Sequence, residues 1–140
     1  MANGKAIGVA YRDQDISGSD IIASSGSLGF TSAATSSVTQ ATNKGTGVTL
    51  NYPAGTITTN NASLASATTV VFTLTNSYIA AGDVVNVSIQ SGPATDGTYQ
   101  VWCCATAAGS AKIAVRNLSG GSLSEALVLN FAVVRTNLSL

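Results

Sequence analysis

The chain has no histidine, two cysteines, two prolines and one tryptophan in 140 residues, and charged residues make up only 9% of it. Each scarcity excludes something. Without histidine the commonest general base is gone, and with it the Ser-His-Asp triad, the Cys-His pair and most zinc sites. The two cysteines, Cys103 and Cys104, are neighbours in a strand-like run. Adjacent strand residues face opposite ways, so a bond between them would need strained geometry; both read as reduced, small and apolar. They are too few to make a metal set. No apolar run approaches the roughly 20 residues that cross a bilayer as a helix, so no membrane partner is expected.

Charge is the most informative shortage, because about 25% is usual for a globular chain. Between Asp20 and Asp83 the one Lys, Arg, Asp or Glu is Lys44. Most of the surface must then be Ser, Thr, Asn, Gln, Ala and backbone, a neutral surface suited to subunits that meet over broad faces. Formal net charge is zero, and Lys5, Arg12, Lys44, Lys112, Arg116 and Arg135 are scattered. Nucleic-acid binding needs a clustered electrostatic footprint, so no nucleic-acid partner is expected. Residues 1–5 lack the continuous apolar core of a secretion signal, which predicts synthesis in a cytoplasm.

The remaining chemistry is thin. The acids are Asp13, Asp15, Asp20, Asp83, Asp96 and Glu125, and only the first two are close in sequence. Nothing pairs carboxylates as a glycosidase would, and neither an enzyme nor a cofactor is expected. Asp13-Gln14-Asp15-Ile16-Ser17-Gly18 matches the first half of a calcium loop, but position twelve is Ser24 instead of a bidentate Glu. It reads instead as a polar turn whose carboxylates pair with Arg12 or Lys5. Tyr11, Tyr52, Tyr78, Tyr99 and Trp102 are spread over separate strands, which suits a core or a subunit contact more than a carbohydrate face.

What is present is β-pattern. Residues 2–46 hold a short strand at 5–11, a charged turn at 12–15, and then Ser, Gly, Ala and Thr interrupted by Leu28, Phe30 and Val38. Such a segment buries little by itself and reads as an extended N-terminal arm lying across its own domain or a neighbour. From residue 47 to 140 strands arrive at short intervals, at 48–52, 56–59, 68–75, 83–90 and 99–106, separated by Gly, Pro, Asn and Ser. The last pair, 112–118 and 126–134 around Ser119-Gly120-Gly121-Ser122, has a hairpin signal. No helical period persists. The expectation is an all-β fold, an antiparallel β-sandwich or jelly-roll with an extended N-terminal arm.

Alternation within the strands selects a core of Val70, Phe72, Leu74, Val85, Val87, Ile89, Val101, Ile113, Val115, Leu127, Leu129 and Phe131. On the last strand Val128, Ala132 and Val134 face the other way and are too apolar to be left in water, which calls for a second layer or a neighbouring subunit. Arg116 and Arg135 read as rim contacts between subunits.

Three stretches carry a resemblance: residues 47–59 (GVTLNYPAGTITT), residues 73–77 (TLTNS), and residues 113–126 (IAVRNLSGGSLSEA) with Asn130-Phe131-Ala132-Val133. Together they resemble virion structural proteins of tailed bacteriophages, cyanophages among them. The likeness covers about the C-terminal two thirds of the chain, and it is more specific for a virion than for a position within one. Residues 5–13 (KAIGVAYRD) with the neutral body are most similar to capsid decoration, or cement, proteins. That resemblance implies a homotrimer on the head surface that bridges neighbouring capsomers and contacts the major capsid protein. Its contacts would be Lys5, Tyr11, Arg12, Asp13 and Asp15 of the arm and Val128, Ala132 and Val134 of the last strand. The alternative it implies is a fibre or knob module that binds a cell-surface glycan.

Overall fold

The computed structural model describes residues 28–136. After a single 3₁₀ turn at Ser32–Ala34 come eight strands: β1 Thr35–Thr39, β2 Val48–Thr49, β3 Ala54–Thr58, β4 Thr69–Thr75, β5 Val84–Ser91, β6 Tyr99–Ala107, β7 Ser110–Asn117 and β8 Val128–Val134. They form two four-stranded sheets, ordered β1-β3-β8-β5 and β2-β4-β7-β6. The two sheets pack face to face as a β-sandwich. The pairs β1–β3 and β2–β4 are parallel, and the others are antiparallel.

The chain laces the two layers together. Every connection except β6–β7 crosses from one sheet to the other. This corrects the expected hairpin at 112–134, since β7 pairs with β4 and β6 while β8 pairs with β3 and β5. Both strands bury one face completely, at Ile113 and Val115 on β7 and at Leu127 and Leu129 at the start of β8. Placed in opposite layers, those faces cover each other across the roughly 10 Å between packed sheets. The connecting segment is also held as a bridge: Leu64 and Leu123 exchange backbone hydrogen bonds of 2.8 and 3.0 Å. The buried Asn117 amide donates to Leu64 O at 2.9 Å and Gly121 O at 2.8 Å. Gly120 and Gly121 thus lie in a crossover. The hairpin that does form joins β6 to β7 through Ala108-Gly109, where Gly109 adopts φ +77°.

Residues 35–39, within the span read as the arm, form β1 in register with β3, from Thr35 opposite Ala54 to Thr39 opposite Thr58. Val38 alone packs on the core from this strand. What fixes β1 is its backbone ladder together with the side chain that follows it, the buried Gln40.

Between the sheets lie Phe72, Leu74, Val85, Ile113, Val115, Leu127, Leu129 and Phe131, all buried, with Val70, Val87, Ile89 and Val101 packed on them at partial burial. Val48, Leu50, Ile57, Leu64, Ile79 and Tyr99 complete this core. Each fully buried large side chain contributes about 1.5–3 kcal/mol, so the core carries most of what holds the layers together.

The two ends of the sandwich are closed by polar side chains. At the end holding the β1–β2, β3–β4 and β7–β8 connections, the Lys44 side chain is almost fully buried, at 3% exposure. Its Nζ donates to Asn60 O and to Glu125 O, each at 2.5 Å. Gln40 lies alongside, donating to Lys44 O at 3.1 Å and Thr46 O at 2.8 Å and accepting from Asn60 N at 3.1 Å. Burial lowers the Lys44 pKa, and the Glu125 carboxylate partly offsets this. At the other end Asp83, also buried, accepts from Ala80 N at 2.8 Å and pairs with Arg135 Nε at 3.4 Å.

Glu125 connects to the core through Tyr99, whose hydroxyl donates to its Oε2 at 2.6 Å. Burial and the adjacent carboxylate push the Tyr99 phenol well above its ordinary range. The folded chain therefore holds this proton more tightly than the unfolded chain. The resulting stability is complete below the unfolded phenol pKa of about 10 and is lost as pH rises beyond it. Tyr99→Phe is expected to lower stability at pH 7 by about 1 kcal/mol. Urea titrations should also show a shallower alkaline decline in the variant than in the wild type.

Candidate functional site

Of the residues singled out from the sequence, Lys5, Tyr11, Arg12, Asp13 and Asp15 lie outside the described residues, as does the half calcium loop with Asp20 and Ser24. Val128, Ala132 and Val134 are on β8 and come together on the outer face of the β1-β3-β8-β5 sheet. Their inward neighbours Leu129 and Phe131 are buried, so alternation turns the three outward. Val134 is 50% exposed, and Val128 and Ala132 are half-buried.

Cross-strand pairing sets the rest of that face. Thr58, Thr56 and Ala54 on β3 stand opposite Val128, Asn130 and Ala132. On the other side Ser88, Asn86 and Val84 of β5 stand opposite Asn130, Ala132 and Val134. Beyond β3, β1 adds Thr39, Ser37 and Thr35. Every one of these side chains is uncharged. They are also short, which leaves shallow depressions on both sides of Asn130. The face is flat and neutral, with hydroxyls and amides placed between methyl groups. It can be covered without desolvating a charge, which removes the largest penalty to association.

The opposite outer face, on β2-β4-β7-β6, is different. Trp102 and Val71 flank Ala114 across the sheet, and Arg116 and Lys112 sit on β7 two residues to either side of that alanine. Val71 is 45% exposed, and Trp102 is half-buried. Sequence reading treated Trp102 as core or contact and Arg116 as a rim residue. The register that sets them side by side could not be read from spacing, because β4, β6 and β7 are brought together by pairing. Arg135, also read as a rim residue, pairs with Asp83 at one end of the sandwich.

Of the other reactive groups, Cys103 is partly shielded, Glu125 is engaged, and Cys104 and Asp96 are exposed. Cys103 and Cys104 are free thiols at a β-bulge, where Cys103 pairs with Ile113, Ala105 pairs with Lys112, and Cys104 is the extra residue. Burial raises the Cys103 pKa, which works against a thiolate nucleophile. Glu125 accepts hydrogen bonds from Tyr99 and from Ala94 N, and these hold its carboxyl below its ordinary pKa. Among the described residues no group of His, Cys, Asp and Glu is placed to hold a metal ion. No helix of the described residues is long and apolar enough to cross a membrane. The buried Lys44 clamp was not foreseen; its signal was the solitary lysine in a stretch otherwise free of charge.

Comparison with known proteins returned no matching family model, no matching curated protein and no matching solved structure.

Proposed function

We propose that this chain is a structural virion protein, a capsid decoration (cement) protein that stabilises a phage head by bridging neighbouring capsomers. In this reading it is made in the bacterial host cytoplasm, assembles as a homotrimer on the capsid surface and contacts the major capsid protein. It acts through buried interface, without catalysis. The observation that carries the reading is the outer face of the β1-β3-β8-β5 sheet, where Val128, Ala132 and Val134 lie in a field of uncharged Thr, Ser, Asn and Ala.

The size of the face fits a shared role. Four strands about 4.8 Å apart and about 20 Å long present roughly 400 Å² in projection. A standard interface takes about 800 Å² from each partner. The sheet face supplies part of that, and the proposal assigns the remainder to the arm residues Lys5, Tyr11, Arg12, Asp13 and Asp15. Contacts that exist only in the intact shell stabilise it by mass action against rupture under DNA pressure.

Asn130 is exposed at the centre of the face, so Asn130→Lys should leave folding within about 0.5 kcal/mol of wild type. It should nevertheless abolish trimer formation in analytical ultracentrifugation and co-sedimentation with expanded phage heads. A wild-type protein that stays monomeric at high concentration and does not bind such heads would end this reading.

A further inference from the structure

The sheet face on the far side of the sandwich points to a second role. We propose that the outer face of β4, β7 and β6 is a binding site for an acidic saccharide, with Trp102 as the stacking platform and Arg116 and Lys112 as the carboxylate-recognising cations. This goes beyond the assembly role and uses none of the residues assigned to it.

Ala114 lies on the outer face of β7, yet it is 1% exposed. A methyl group on the outside of a sheet is hidden when larger neighbours lie over it, and its cross-strand neighbours are Trp102 and Val71. Trp102, partly buried, and Val71, 45% exposed, flank Ala114 as apolar surface still partly open to solvent. On either side of it, Gln100, Arg116 and Thr69 form one cross-strand row, and Ala105, Lys112 and Thr73 form the other. With a rise of about 3.3 Å per residue, each cation stands about 7 Å along β7 from the platform's centre.

Charge selects the ligand. Among the described residues, both charged side chains on this face are positive and exposed, and no carboxylate shares it. Neither Arg116 nor Lys112 has an ion-pair partner among the described residues, where Arg135 with Asp83 is the pair formed. The C–H face of a sugar ring packs on an indole, a guanidinium meets a carboxylate in bidentate fashion, and amide and hydroxyl groups such as Gln100 and Thr69 take up ring hydroxyls. Single-stranded nucleic acid is less well matched, because it is held by a long cationic groove with several stacking aromatics. Here there are one aromatic and two cations, set among hydroxyls.

Trp102 is the sole tryptophan, so its emission reports on the site directly. The test titrates the full chain with oligogalacturonate, a hyaluronan tetrasaccharide and sialyllactose, and in parallel with maltohexaose and a dT10 oligonucleotide. The expected result is a saturable emission change with at least one acidic saccharide, weakened by salt, with maltohexaose binding at least about tenfold more weakly. Arg116→Gln should weaken binding about tenfold or more by calorimetry, and Trp102→Ala should abolish it while circular dichroism stays native. Asp96→Asn, in the loop before β6, should bind like wild type, as should Asn130→Lys, which separates this site from the assembly face. Absence of saturable binding by all three acidic saccharides up to about 10 mM would overturn the proposal, since that is weaker than any useful recognition. Tighter binding of dT10, or binding unaffected by Arg116→Gln, would also overturn it.

Discussion

Gly92→Ala is expected to cost about 3–5 kcal/mol, a large share of the roughly 5–15 kcal/mol that holds a domain folded, and to lower the urea midpoint sharply. Two effects combine at this position. Gly92 has φ +117°, a backbone conformation that residues with a side chain rarely adopt. A Cβ there would also stand 2.3 Å from Ala126 O and 2.7 Å from Leu127 Cα. These are main-chain atoms of the segment entering β8, and they cannot rotate aside as a side chain would. Leu127 is fully buried, so moving its backbone disturbs the core. The control is Gly97→Ala: Gly97 has φ +79° but nothing within 4 Å of its would-be Cβ. Only the left-handed strain applies there, about 1–2 kcal/mol. Urea denaturation of the two variants should separate them clearly, and equal losses would mean that the approach of β5 to the start of β8 is not as tight as described.

The second large effect is expected at Lys44. Lys44→Ala deletes a buried stem and leaves Asn60 O and Glu125 O without their donor, and it should cost about 3–5 kcal/mol. Lys44→Met keeps most of the volume and loses the donor alone, so about 1–3 kcal/mol is expected. The pH dependence distinguishes a buried ammonium from a merely packed chain. Burial lowers the Lys44 pKa, so the unfolded chain holds that proton more tightly than the folded chain. In the window between the folded value and the unfolded 10.5, the unfolded state binds more protons, and stability rises with pH. Wild type should show that rise before the Tyr99 decline sets in, and Lys44→Met should not. Identical pH profiles for the two proteins would contradict a charged, desolvated Lys44.

How far the sequence reaches can be judged from particular residues. Val70, Phe72 and Leu74 alternate with polar or exposed neighbours, and that period of two located β4 and its buried face directly. Leu127, Leu129 and Phe131 did the same for β8. Alternation reports on which side of a strand is apolar; it carries no information about which strand lies beside it. Gly120-Gly121 therefore looked like a hairpin turn, although β7 and β8 face each other across the core. The true hairpin at Ala108-Gly109 has only one residue with positive φ and a weaker local signal. β1 was hidden for a different reason: Thr, Ser and Ser before Val38 give no apolar stripe, and the strand is fixed by its parallel ladder to β3. At the neutral face, the outward positions of Val128, Ala132 and Val134 were legible. Their flanking Thr, Ser and Asn neighbours depended on pairing and were not. The same limit concealed the row of Trp102, Ala114 and Val71.

The lacing of the chain between layers also governs how it reaches this state. Apart from the β6–β7 ribbon, no strand among those described pairs with its neighbour in sequence, so nearly every ladder must wait for distant segments to meet. Loop-closure entropy is lost before most contacts can form, and this architecture belongs with the slow two-state folders, on the scale of milliseconds to seconds. The β6–β7 ribbon is the natural nucleus, and β4 is the first strand able to add to it. During that interval the apolar strands stand unpaired, so a nascent chain is at its most vulnerable to aggregation before its layers close.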